Sequence, residues 1–204
     1  MFLFARLSKR CAKFWRDKMF IGAHKTIAEN VYTNLRWKHN ILLSYNYFIW
    51  GNIAPDLKVD FINEKHYQQY FYDKLKAAII DMADTPMTLA EFSYKAGIIC
   101  HYLSDMFCYP HEQNWNYGGK NTIEHILFEE KQVEISKNKI YSIQSAPNIK
   151  EFTDEYVEFF LKYLINEYKK CIDYNNDMIW SITACYKYIE SSLFHMFKYN
   201  IIKI

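Results

Sequence analysis

Three observations on this 204-residue chain predict an all-α fold of one domain. Glycine and proline are scarce, five and four residues, and positions 148–204 contain neither, which leaves little material for the turns of a sandwich or barrel. Apolar residues recur at three- and four-residue spacing along most of the chain, and no stretch alternates long enough to make a sheet. Half the residues are hydrophobic and 24% are charged, so the chain is not intrinsically disordered and can build a full-sized core. With 18 tyrosines, 15 phenylalanines and 5 tryptophans, much of that core is expected to be ring packing.

The elements follow in order. Leu3, Phe4, Leu7, Cys11, Phe14 and Trp15 share one helical face with Arg6, Lys9, Lys13 and Arg16 opposite, so residues 1–20 read as a basic amphipathic helix ahead of an all-helical domain over 21–204. A second helix is expected from about Lys25 to Lys38. A third is expected over Ile41 to Trp50, ended by Gly51 and a loop Asn52-Ile53-Ala54-Pro55-Asp56. Tyr67 to Met82 is periodic, and after Pro86 the next helix runs from about Thr88 to Cys108 until Pro110 stops it. Past the Gly118-Gly119 turn, Thr122 to Ile135 forms another. Two long helices, Ile149 to Asp173 and Met178 to Tyr199, finish the chain.

Charge and cysteine usage narrow the classes of function. Residues 1–20 carry +5 and the remainder −3, a poor nucleic-acid surface but one compatible with carboxylates gathered around cations. Five cysteines, Cys11, Cys100, Cys108, Cys171 and Cys185, form an odd set with no CxxC pair, and no secretory h-region is visible, so a reduced, cytoplasmic chain is expected. The longest apolar stretch, Ile41 to Trp50, is about half a membrane span and is interrupted by Ser44 and Asn46. No GxSxG, Walker-type or dinucleotide motif competes for an active site.

Among seven histidines, two stand four residues before a carboxylate on an expected helix: His101 before Asp105, and His125 before Glu129. That spacing puts both side chains on one face a turn apart, where they can grip a single ion. Zinc suits imidazole nitrogen and carboxylate oxygen, and a catalytic zinc keeps one position open. His101 follows the apolar run Ala96-Gly97-Ile98-Ile99-Cys100, so its face is expected to be buried, where a charged pair requires a partner that offsets desolvation. His111 lies past Pro110, and Asp56 and His66 flank a further stretch that can approach the same place. His39 and His195 are expected to do no more than hydrogen-bond at the surface or in the core.

The segments His24-Lys25-Thr26-Ile27-Ala28-Glu29, Gly51-Asn52-Ile53-Ala54-Pro55-Asp56, His66, His101-Tyr102-Leu103-Ser104-Asp105-Met106-Phe107-Cys108-Tyr109-Pro110-His111 and His125 with Glu129 together resemble the zinc-dependent phospholipase C family, related in fold to fungal single-strand-specific zinc nucleases. The resemblance implies an all-helical fold holding two to three zinc ions in a cleft. It implies that Asp56, His66, His101 and Asp105 hold the first ion and that His111, His125 and Glu129 hold a second. Asp105 would bridge to a third, bound also by His24, and Asp56 would be the catalytic group that orients or deprotonates the attacking water.

The activity implied is zinc-dependent phosphodiester hydrolysis, with phospholipase C-type cleavage of a phospholipid to diacylglycerol and a phosphorylated head group as the leading form. A zinc-dependent nuclease or nucleotidase acting on single-stranded nucleic acid is the enzymatic alternative, with Trp115 and Tyr117 as candidate stacking residues, and is disfavoured by the acidic body. A non-catalytic zinc-stabilised helical adaptor is the other alternative, although a purely structural zinc needs only four closed ligands. A phospholipid is thus the expected substrate, and an anionic membrane surface reached through residues 1–20 the expected partner.

Overall fold

The computed structural model describes residues 22–35, 42–57, 68–108, 120–137, 139–169, 173–199 and 201–203. The expected helix at residues 1–20 lies outside them, as do His39, His66, His111, Cys11, Cys171, Trp115 and Tyr117. The all-α reading holds: seven helices are present among the described residues, and the only ladder there is a two-residue parallel pairing. These are α1 (residues 22–34), α2 (Tyr45–Leu57), α3 (Gln68–Asp84), β1 (Met87–Thr88), α4 (Leu89–Asp105), α5 (Lys120–Ser136), α6 (Asp154–Tyr168), α7 (Tyr174–Tyr199) and β2 (Ile202–Lys203).

Local chemistry sets several boundaries. Thr88 caps α4 with a complete capping box: its hydroxyl accepts from Glu91 N at 3.3 Å while the Glu91 carboxylate accepts from Thr88 N at 2.8 Å. Asp173 Oδ1 accepts from Asn175 N and Asn176 N at 2.8 and 2.9 Å, which starts α7 at Tyr174, four residues before the expected Met178. Instead of one helix from Ile149 to Asp173, α6 spans only Asp154–Tyr168. The irregular stretch before it is held by side chains, with Tyr141 N donating to Asn30 Oδ1, Gln144 N to Thr183 Oγ1 and Ile149 N to Ser191 Oγ. Its backbone thereby finds partners without becoming helical.

The largest departure is α2. Gly51 does not end a helix, and Asn52 to Asp56 is not a loop; the helix runs on through Pro55 to Leu57. A Cβ on Gly51 would overlap the Tyr94 carbonyl and stand 2.9 Å from Gly97 Cα. A Cβ on Gly97 would overlap the Phe48 carbonyl and stand 2.8 Å from Asn52 N. The two glycines therefore let α2 and α4 meet backbone to backbone, and the absent side chain serves close approach rather than chain reversal. Pro55 lacks the N–H that would bond the Gly51 carbonyl, but it sits within the last turn, where one lost bond is tolerable.

α7 lies against α3, α4, α5 and α6 and buries Trp180, Ile182, Tyr188, Ile189 and Leu193 among them. Phe48, Phe92, Phe107, Phe160, Tyr168 and Tyr188 are fully enclosed, and Phe107 meets Tyr168 edge to face at 5.4 Å, so the core is indeed rich in rings. Cys100, Cys108 and Cys185 are buried free thiols. His195 is half-buried between the rings of Phe152 and Tyr199. Among the described residues, no helix is long and apolar enough to cross a membrane.

Candidate metal centre

The close α2–α4 crossing and the N-terminal end of α1 bring four chemistry-bearing side chains together. His24 comes from the first turn of α1, Asp56 from the last turn of α2, and His101 and Asp105 from the last two turns of α4. His24 Nε2 stands 3.3 Å from Asp105 Oδ1 and 3.7 Å from Asp56 Oδ2. His101 Nε2 stands 3.4 Å from Asp105 Oδ2 and 3.8 Å from Asp56 Oδ1. Two carboxylates thus alternate with two imidazoles in a closed ring, each carboxylate giving one oxygen to each histidine. The imidazoles themselves overlap, with centroids 3.9 Å apart and planes at 31°.

Second partners fix which nitrogen faces this ring. His101 Nδ1 lies 2.9 Å from the Asn52 carbonyl, which can only accept, so Nδ1 carries the proton and Nε2 is the inward atom. Ser104 Oγ donates to the His101 carbonyl at 2.7 Å and therefore accepts from His24 Nδ1 at 2.9 Å, which turns His24 Nε2 inward too. Orienting bonds of this kind are what a metal-binding histidine requires. Asn52 and Ser104 were not singled out from the sequence. Both stand inside the motifs that were, one turn before Asp56 and one residue before Asp105, but their roles depend on which helix lies opposite.

His101 and Asp105 are buried at 0% and 2% exposure and His24 at 5%, while the Asp56 side chain, at 13%, is the most open of the four. Glu129 from α5, also buried, lines one small cavity with His24, Asp105 and Cys108. Burial, the strongest influence on His24, lowers its pKa. The hydrogen bond it donates to Asp105 and the charges of Asp56, Asp105 and Glu129 outweigh it and raise the group to about 9. The Cys108 thiol is pushed well up by burial and then by the Glu129, Asp177 and Asp105 carboxylates. Three carboxylates around two imidazoles is an excess of negative charge in a dry place, and a divalent cation is the partner that offsets it.

Nitrogen and oxygen atoms of His24, Asp56 and His101 converge within 4.8 Å of one another, a donor set suited to zinc. Of the other residues named from the sequence, Asp105 joins this group directly and Glu129 approaches from α5. His125 lies on α5 one turn before Glu129, with its side chain outside the described part, and His66 and His111 fall in undescribed segments.

A buried cluster of nitrogen and oxygen donors on an all-helical scaffold has the make-up of a candidate metal centre. The chain belongs to the zinc-dependent phospholipase C family: the family model described as zinc dependent phospholipase C matches residues 23–180, which include His24, Asp56, His101, Asp105 and Glu129. Neither a search among curated proteins nor one among solved structures finds a match.

Proposed function

We propose that the chain is a zinc-dependent phosphodiester hydrolase that cleaves a phospholipid on the glycerol side of the phosphate, releasing diacylglycerol and a phosphorylated head group. The observation that carries this reading is the closed ring of His24, Asp105, His101 and Asp56, with both Nε2 atoms turned inward, in a chain of a zinc-dependent phospholipase C family. In this reading His24, Asp56, His101, Asp105 and Glu129, with His66, His111 and His125, hold two to three zinc ions. Bound zinc would draw charge from the phosphate and bring the pKa of a water toward neutrality.

The remaining work falls to the chain. Asn52 and Ser104 keep the imidazoles from rotating. Asp105, with one oxygen toward each histidine, is placed to serve two ions. Asp56, the most accessible carboxylate of the ring, orients the attacking water and takes its proton. Residues 1–20, basic on one face and apolar on the other, hold the enzyme on an anionic membrane, each cation there adding on the order of 1 kcal/mol.

The test is release of head group from a panel of phospholipids, beside cleavage of single-stranded DNA and nucleotides, each with zinc and with chelator. Zinc-dependent head-group release is the expected result. Cleavage of nucleic acid alone would replace the lipid reading with the nuclease one, and zinc binding without hydrolysis of either would leave the adaptor. Cosedimentation with anionic vesicles tests the anchor: deletion of residues 1–20 is expected to abolish binding at low salt, and unchanged binding would refute it.

A further inference from the structure

The cavity beside His24 is walled by Ser104, Asp105, Glu129, Gln132 and Ser181 as well as by apolar groups. The His24 Nδ1 proton and both serine hydroxyl protons are committed elsewhere. His24 Nδ1 donates to Ser104 Oγ, Ser104 Oγ to the His101 carbonyl, and Ser181 Oγ to the Ser104 carbonyl at 3.2 Å. Asp105 and Glu129 bring carboxylates. Gln132, one turn beyond Glu129 on α5 and 4% exposed, donates Nε2 to Asp177 Oδ2 at 3.4 Å. Asp177 is fully buried in the first turn of α7, where the helix N-terminus favours negative charge, and the Tyr168 hydroxyl donates to its other oxygen at 2.9 Å.

We infer that Asp177 is a positioning residue for the metal centre: by holding Gln132 Nε2 it keeps the carboxamide oxygen toward the cavity, so that Gln132 is a further oxygen donor to a cation beside Glu129. The reverse orientation would set the amide oxygen against a buried carboxylate in a low dielectric, two acceptors with no proton between them. With Nε2 held by Asp177, the amide oxygen joins the Asp105 and Glu129 carboxylates as an oxygen donor on the cavity wall, the kind of ligand a cation requires. A glutamine three residues after a carboxylate on one helix face can share an ion with it. The inference rests on the metal reading of the site and adds a pair of residues to it.

The experiment is zinc titration of the full chain against a chromophoric chelator, with circular dichroism and melting of the metal-free proteins alongside. In Asp177→Asn the introduced amide can donate to Gln132 Oε1 and turn its NH2 toward the cavity, so zinc is expected to bind on the order of tenfold more weakly. Adding Gln132→Glu to that variant restores a donor-to-acceptor match, with an oxygen left facing the cavity, and is expected to return affinity to within a few-fold of wild type. Gln132→Glu alone is the control: if it tightens zinc binding in the wild-type background as much as in Asp177→Asn, the rescue is added charge and the inference is overturned. Wild-type affinity in Asp177→Asn, or a double variant that folds yet binds as weakly as the single one, would overturn the inference. Should Asp177→Asn fail to fold, Gln132→Met decides: weakened zinc binding supports the role, and wild-type binding refutes it. A wild-type chain that takes up no zinc would overturn the metal reading itself, and this inference with it.

Discussion

Replacing Gly97 with alanine probes the contact on which the whole site depends. The new Cβ would overlap the Phe48 carbonyl oxygen and stand 2.8 Å from both Asn52 N and Gly51 Cα, where ordinary contact begins at 3.4 Å. All three are backbone atoms of α2, so no side chain can rotate aside and the two helices must part, by about 0.6 Å at the milder contacts and more at the oxygen. Overpacking of this kind costs about 1–3 kcal/mol. The 2.9 Å bond from His101 Nδ1 to the Asn52 carbonyl spans the same gap, and losing it adds about 1 kcal/mol or more. Differential scanning fluorimetry of the metal-free protein is therefore expected to show a Tm lower by roughly 6–12 °C. Zinc affinity should fall by about 10- to 100-fold, because Asp56 rides on α2 and His101 on α4. Gly22→Ala is the control: its Cβ would meet a Val133 methyl at 3.1 Å, a side chain able to give way, and Tm should move little. Wild-type Tm and zinc affinity in Gly97→Ala would refute the argument that a glycine contact builds the site.

In the metal-free protein, His24 titrates near 9 against an ordinary 6.5, so its protonated form is favoured on folding. The resulting stability, about 3 kcal/mol, is fully present below pH 6.5 and lost as pH rises through 9; melting from pH 6 to 10 is expected to show the loss in wild type and not in His24→Asn. Asp105→Asn is expected to lose more zinc by elemental analysis, and more activity, than His24→Ala, because Asp105 touches both imidazoles; full zinc content in Asp105→Asn would show that it bridges nothing. Glu129→Ala should recover much of its activity with added zinc while Asp56→Asn should not, and equal rescue of the two would make Asp56 a ligand only.

The Thr88 and Glu91 capping box, the helical spacing through α3, α4 and α7 and the four-residue step from His101 to Asp105 involve neighbours within one or two turns, so they are legible as a string of residues. The same locality misleads at Gly51 and Pro55. Read alone they stop a helix; with Gly51 packed against Gly97, both lie inside one, and Asp56 becomes a side chain on a helical turn. The ends of α6 and α7 shift for a like reason, since the stretch before α6 takes its hydrogen bonds from Asn30, Thr183 and Ser191, which are far away in sequence.

The motifs were sufficient to show a resemblance that named the family and implied the full set of candidate ligands, while spacing by itself gave only the pairs His101 with Asp105 and His125 with Glu129, because a helix restricts where side chains fall and zinc restricts which atoms can serve. Three further matters were decided by tertiary structure: that His24 stacks on His101 at 3.9 Å, that Asn52 and Ser104 choose the inward nitrogen of each ring, and that Asp177 holds Gln132. Each depends on how closely and at what register separate helices approach. That distance follows from the fit of surfaces such as Gly51 on Gly97, and no periodicity along a single helix encodes it.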